Sequence, residues 1–224
     1  MNELHLFAGA GGGILGGMLL GHTCVCAVEI EPYCRRVLLQ RQRDGILPKF
    51  PIWDDVRTFD GRPWRGKVDV VCGGFPCRGY STAASGKSKA EDFWPEMGRI
   101  VADVAPAYVF AENTERRAID RAADDLEAMG YKVACITLSA KDLGADHVRE
   151  RRWLLAYADM HSELLQPINA EVARMPSVPP RIWQTFTNEP RMADGMANRM
   201  DRLKAIGNGQ VPAVVRLAWE TLTP

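Results

Sequence analysis

Apolar runs of strand length recur along the first two thirds of the chain, separated by glycine, proline or polar turns. Leu4–Phe7, Thr23–Val28, Val68–Cys72, Ala107–Ala111 and Tyr131–Leu138 predict buried strands, the third interrupted only by Asp69. Between them the spacing turns helical. Ile14–Leu20 predicts a short helix, Pro32 opens a second that Asp44-Gly45 closes, and Ile119, Ala122, Ala123, Leu126 and Met129 share one face of a third. A repeating strand–helix order predicts the α/β class, with a mainly parallel sheet covered by helices on both faces.

The pattern breaks between Asp159 and Asp194, where Pro167, Pro176, Pro179, Pro180 and Pro190 fall in a stretch of little periodicity. This reads as a loop-rich segment inserted into the main domain. Val211–Leu222 returns to helix, with Pro212 tolerated in its first turn. The expected organisation is a main domain over residues 1–158, the insert over 159–194, and a returning segment over 195–224.

Between Glu3 and Glu29 there is no Asp, Glu, Lys or Arg, which on charge alone suits a membrane span. The many glycines there, among them Gly11, Gly12 and Gly13, would each cost a helix about 1 kcal/mol relative to alanine. No basic residue precedes the run as a signal peptide requires, so a strand and a glycine turn are expected, with no membrane association. With 46% hydrophobic and 25% charged residues in 224, the chain reads as an ordinary globular protein of cytoplasmic type. Lys+Arg 28 against Asp+Glu 28 excludes a strongly basic DNA-coating protein but leaves room for a local basic groove. The cysteines read as reduced thiols, and Cys24, Cys26, Cys34, Cys72 and Cys135 as small core residues. Neither Cys72 with Cys77 nor His22 with Cys24 and Cys26 has zinc-ligand spacing, so no metal is expected.

Several segments carry candidate chemistry. Phe7-Ala8-Gly9-Ala10-Gly11-Gly12-Gly13 lies between a strand and a helix, where glycines admit a ligand to backbone N–H groups. Glu29 ends the next strand, where a carboxylate can accept bonds from both hydroxyls of a ribose, and Asp55 follows one element later. Together they suggest a nucleoside-containing cofactor across the carboxyl edge of the sheet. The glycine spacing is not that of a dinucleotide site, which disfavours a nicotinamide-dependent oxidoreductase. Cys77, held by Pro76 and flanked by glycines after a buried run, is placed like a nucleophile. Glu112 emerges from another buried run, a setting that raises a carboxyl pKa and suits it to carry a proton, although capping the next helix is its bland alternative. Arg149 and Arg151 share one face of an extended segment and suit a phosphate, a base carbonyl or an internal carboxylate. Gly207-Asn208-Gly209-Gln210-Val211-Pro212 turns into the final helix.

In this order the segments resemble the DNA (cytosine-5) methyltransferase family, over most of residues 3–157 and 191–222. The glycine segment resembles the family's F-x-G-x-G loop, Pro76-Cys77 its proline–cysteine motif, and Glu112-Asn113 its glutamate–asparagine pair. Arg149 and Arg151 resemble its paired arginines, and Gly207-Asn208 its glycine–asparagine turn. The resemblance implies a Rossmann-like fold, S-adenosylmethionine as cofactor and double-stranded DNA as substrate, in a compact prokaryotic or phage-type member; a monomer is expected, with a DNA-contacting partner left open. It implies that Cys77 adds to carbon 6 of a flipped-out cytosine, that Glu112 contacts ring nitrogen 3 and the exocyclic amine, that Arg151 binds the base oxygen, and that Arg149 orients the site and a phosphate. For the cofactor it assigns Phe7, Gly9 and Gly11 to the methionine loop, Glu29 to the ribose, Ile30 to the adenine face and Asp55 with Val56 to the adenine edge. Pro76 and Asn208 would lie near the transferring methyl and the methionine part, and Tyr80–Asp92 would form a mobile loop closing over the base.

This chain departs from the family where His5 replaces Asp, Arg78 replaces Gln and Thr114 replaces Val. Arg78 is expected to alter sequence preference, because its guanidinium can read a guanine edge. The segment 159–194 is short for target recognition, which predicts a short or relaxed site. The alternatives are the same chemistry on RNA, or a cofactor- or DNA-binding partner without turnover.

Overall fold

The computed structural model describes residues 1–77, 92–146, 148–158, 201, 205 and 207–223. Its strands are β1 (Asn2–Leu6), β2 (Thr23–Val28), β3 (Ile52–Trp53), β4 (Val70–Gly74), β5 (Tyr108–Asn113), β6 (Tyr131–Ser139) and β7 (Glu150–Ala158). Its α-helices are α1 (Gly12–Leu19), α2 (Pro32–Arg43), α3 (Trp94–Val104), α4 (Arg116–Ala128) and α5 (Pro212–Leu222). The strands form one sheet in the order β3-β2-β1-β4-β5-β7-β6. β1 to β5 run parallel, while β7 pairs antiparallel with both β5 and β6. The sheet is mainly parallel, as the alternation of apolar runs implies.

Strand alternation divides the core. Leu4, Leu6, Val71, Val109, Ala111, Leu154 and Ala156 face α3 and α4, whose Met97, Ile100, Ile119 and Leu126 cover them. Val70, Cys72, Tyr108, Phe110, Trp153 and Leu155 face the other way, under Val214, Val215, Ala218 and Trp219 of α5. Each fully buried Leu, Ile or Met contributes roughly 1.5–3 kcal/mol. The returning helix α5 lies directly on α1: a Cβ on Gly16 would sit 2.4 Å from the Val215 Cβ. Only glycine permits that approach, so the last segment of the chain is locked onto the first helix.

The boundaries differ from the sequence expectation where the sheet edge matters. β1 stops at Leu6 because Phe7 turns with φ 54, and β4 and β5 run on to Gly74 and Asn113. β6 is an edge strand with alternate residues exposed rather than a buried run, and its Cys135 is exposed, not a core thiol. Among the described residues, no helix is long and apolar enough to cross a membrane. The segment 159–194 and the span 78–91 lie outside the described residues.

A polar cluster is buried on the α5 side of β1. Glu3 Oε2 accepts from His5 Nε2 at 2.7 Å and Oε1 from His22 Nδ1 at 2.8 Å. Burial alone would raise the Glu3 pKa, but the two imidazoles more than offset it and bring the carboxyl down to about 2. The His22 ring stands edge-on to Trp219 at 5.1 Å. Glu3, His5 and Cys72 bring their polar atoms within 4.8 Å of one another, a grouping that their scattered positions in the sequence conceal.

Candidate active site

The carboxyl ends of β1, β2, β4 and β5 share one edge of the sheet, and each delivers a site residue. Beyond β1, Phe7 and Gly9 take positive φ values of 54 and 55, which carries the chain away from the sheet and opens the glycine loop. Gly11, with φ 90, caps α1, and a Cβ there would meet Leu38 at 2.8 Å. Gly9 is different: a Cβ at that position would project into open space. That space belongs to a groove lined by Phe7, Gly9, Glu29, Gly74 and Asn208.

Glu29 ends β2 beside this groove. Its Oε2 accepts the Gly9 N–H at 2.6 Å and its Oε1 the Glu31 N–H at 2.7 Å. Burial still pushes its pKa up against those two bonds. A neighbouring hollow is walled by Phe7, Val28, Glu29, Ile30, Val56 and Phe93, with Ile30 half exposed over it and Phe7 and Phe93 in edge contact at 5.9 Å. Asp55 does not join this wall. Its carboxylate takes Arg57 side-on at 2.7 and 2.9 Å, and that partnership lowers its pKa.

β4 and β5 pair Gly74 with Glu112, so the turn after β4 leaves the sheet next to the carboxyl. Asn113 fastens that turn by donating its side-chain amide to the Phe75 carbonyl at 2.8 Å. Pro76 is exposed and half-buried Cys77 follows it. Cys77 forms an antiparallel bridge with Asp92, and the Phe93 N–H bonds the Pro76 carbonyl at 3.2 Å. Asp92 is anchored in turn by Arg121 and by the Trp94 N–H. The two ends flanking residues 78–91 are therefore pinned together beneath the thiol.

Glu112 is buried, and its Oε1 pairs with the Arg151 Nε at 2.9 Å. Its Oε2 accepts from the Gln210 side-chain amide at 3.3 Å. Burial raises its pKa, with Arg151, Gln210 and Arg149 pulling the other way. Glu112 shares a cavity with His5, Phe7, Gly9, Gly13, Asn208 and Gln210, continuous in its lining with the glycine groove. Arg149 donates to the carbonyls of Gly207 and Gly209, holding the turn that carries Asn208. Burial lowers the Arg149 pKa, as does the neighbouring Arg151 charge.

The described structure thus gathers Phe7, Gly9, Glu29 and Asn208 around the groove, Ile30 and Val56 in the neighbouring hollow that shares Phe7 and Glu29, and Glu112 in the adjoining cavity with Arg151 paired to it and Arg149 bonded to the Asn208 turn, with Pro76 and Cys77 leaving the same sheet edge. Asp55 is held apart, and Arg78 lies outside the described residues. Sequence reading gave Asn113 and Gln210 no individual role, and it marked His5 only as a departure. The repeated glycines at Gly12 and Gly13 are a signal for Gln210, because both make room for it.

A model of the C-5 cytosine-specific DNA methylase family matches residues 1–212. The type II methyltransferase M1.HphI of Haemophilus parahaemolyticus is 33% identical over 67% of this chain and 44% of its own length. M.NgoMIV of Neisseria gonorrhoeae is 29% identical over 73% of this chain and 54% of its own length. The chain thus spans about half the length of these curated relatives. In fold it is similar to a prophage-encoded putative DNA modification methyltransferase of E. coli, with TM-score 0.57 and 22% identity over 71% of this chain and 47% of that one. It is also similar to DNMT2 of Spodoptera frugiperda, with TM-score 0.56 and 16% identity over 70% of this chain and 50% of that one. Sheet order, the site edge and the family match agree: the chain belongs to the C-5 cytosine-specific DNA methylase family.

Proposed function

We propose that this protein is a DNA methyltransferase that moves a methyl group from S-adenosylmethionine to carbon 5 of cytosine. The observation that carries this reading is buried Glu112, held by Arg151 and sharing one cavity with the glycine loop, on the sheet edge from which Cys77 emerges. Relatives named as type II methyltransferases favour DNA over RNA as the substrate and support a restriction–modification setting.

The groove fits the cofactor. Gly9 leaves the space a side chain would fill, Glu29 keeps acceptor positions beyond its two backbone bonds, and Ile30, Val56 and Phe93 offer apolar walls for a planar base. Phe7, Gly9 and Asn208 would hold the amino-acid part. When bound, S-adenosylmethionine supplies an electrophilic methyl group.

The chain's own residues make cytosine able to accept it. The Cys77 thiolate adds to carbon 6, forming an S–C bond and pushing the ring's electron pair toward nitrogen 3, where Glu112 delivers a proton or hydrogen bond. The exocyclic amine donates to the same carboxyl, and Arg151, paired with that carboxyl, meets the base oxygen in this reading. Carbon 5 then carries the electron density for methylation. Loss of the carbon 5 proton and expulsion of the thiolate restore the aromatic ring. The target atom is hidden within a duplex, so the base must be extruded.

Arg149 acts here by fastening the Asn208 turn. The assay is transfer of labelled methyl from S-adenosylmethionine to duplex DNA and, in parallel, to tRNA. Incorporation into DNA is expected; incorporation into tRNA alone would overturn the substrate assignment. Sequencing of methylated DNA is expected to return a short or relaxed site, and a strict site of roughly six or more base pairs would contradict that.

A further inference from the structure

Gln210 touches more of the site than a turn residue needs to. Its side-chain nitrogen donates to Glu112 Oε2 at 3.3 Å. A Cβ on Gly13 would lie 2.4 Å from its side-chain oxygen, and a Cβ on Gly12 2.1 Å from its backbone carbonyl. A Cβ on Gly74 would crowd both members of the pair, at 2.7 Å from Glu112 Oε2 and 3.2 Å from Gln210 Nε2. Three glycines from two elements therefore clear room around one glutamine. Arg149 then fixes the backbone just ahead of it through the Gly207 and Gly209 carbonyls.

We propose that Gln210 is a positioning residue for Glu112, its amide holding Oε2 so that the carboxyl stays aimed into the cavity shared with the glycine loop. The proposal rests on the reading of Glu112 as the base-contacting carboxyl. Arg151 occupies Oε1 and Gln210 occupies Oε2, so neither oxygen can rotate away without losing a partner. The two partners differ in kind. Arg151 is a fixed cation, whereas the neutral amide stabilises the carboxylate only modestly and leaves it able to take a proton.

The groups that face Glu112 are Arg151 on β7, Arg149 just before it, and His5 of β1 across the shared cavity. None of these changes in a Gln210→Met variant, which keeps the bulk and the backbone contacts and removes the side-chain amide, donor and acceptor together. The Gln210→Glu variant instead sets a second carboxyl against the first. Removing a donor to the charged form raises a carboxyl's proton affinity.

The test is carboxyl carbon NMR titration of Glu112 in the cofactor-free protein, assigned with Glu112→Gln, together with the pH profile of kcat. Gln210→Met is expected to raise the Glu112 midpoint by about one pH unit, the worth of a hydrogen bond to a charged group. Gln210→Glu is expected to raise it further. The limb of the kcat profile that reports Glu112 should move in the same direction, with cofactor affinity unchanged and stability above the Glu112 midpoint lowered by no more than about 1.4 kcal/mol, the worth of one pH unit. An unmoved titration in both variants would overturn the proposal. So would a loss of activity matched by an equal loss of cofactor affinity, which is what a merely structural glutamine produces. A wild-type protein without methyl transfer would instead refute the proposed function, and the NMR titration would still decide the Gln210–Glu112 contact.

Discussion

Asn113 donates its side-chain amide to the Phe75 carbonyl at 2.8 Å and so ties the strand of Glu112 to the turn of Cys77. Its oxygen meanwhile accepts the Glu115 N–H at the start of α4. The bond fixes the spacing between the two groups that the proposed mechanism brings to one pyrimidine from different strands. Asn113→Asp keeps the acceptor and loses the donor, setting a carboxylate against a carbonyl. Its kcat for methyl transfer is expected to fall by about a hundredfold, the penalty of a small misplacement. Cofactor affinity, measured by calorimetry, should barely change.

The buried Glu3 cluster ties stability to acid. The Glu3 carboxyl stands at about 2 against an ordinary 4.5, so the native state binds its proton more weakly than the unfolded chain does. The stabilisation is present in full above the ordinary value and is lost as pH falls through the window from 4.5 to about 2. It is of order 3 kcal/mol by the conversion of pKa shift to free energy. Denaturant unfolding of wild type and Glu3→Gln as a function of pH is the check. Wild type should lose stability across that window, and the variant should start lower and show a shallower slope.

Gly9 and Gly12 separate binding from folding. Gly12→Ala drives a methyl into the Gln210 carbonyl, a backbone atom that cannot step aside. A melting temperature lowered by several degrees is expected, from a cost of about 1–3 kcal/mol. Gly9→Ala meets no atom within 4 Å and pays only its positive φ, about 1–2 kcal/mol, but its methyl enters the open space that the proposed cofactor would occupy. It should show the larger loss of S-adenosylmethionine affinity and the smaller loss of stability.

Arg149 holds two carbonyls of one turn through a single nitrogen, Nη2, at the far end of its guanidinium, a reach that the shorter lysine side chain does not match. Arg149→Lys is expected to loosen the Asn208 turn and to weaken cofactor binding by about tenfold, the worth of one lost charged hydrogen bond. Cys77→Ser should leave that affinity intact. Calorimetric titration of both variants reads the difference.

Much of this arrangement was legible from the chain itself. The β2 run and the Pro32-to-Gly45 helix declare their own limits, because alternation, a proline at a helix start and a turn dipeptide are local signals. Long-range partnerships are not local. Glu3 and His5, two apart on β1, share a face by the strand period, but His22 joins them only when the start of β2 is laid beside β1, and no spacing signals that. Asp55 reads as a ligand from its place after the next element, and the Arg57 pairing that holds its carboxylate is a side-chain contact that the sequence does not announce. The β6 run suggested burial like that of the other strands. Antiparallel pairing with β7 instead placed it at the sheet edge, with Cys135 in solvent.

The central claim is that Cys77 bonds covalently to carbon 6 of cytosine. Duplex DNA carrying 5-fluorocytosine tests it, because fluorine cannot leave carbon 5 as a proton and the adduct is trapped. With S-adenosylmethionine present, wild type should form a denaturant-resistant protein–DNA complex whose peptide map places the link at Cys77, and Cys77→Ala should form none. An adduct that survives in Cys77→Ala, or methyl transfer by that variant at the wild-type rate, would contradict the account.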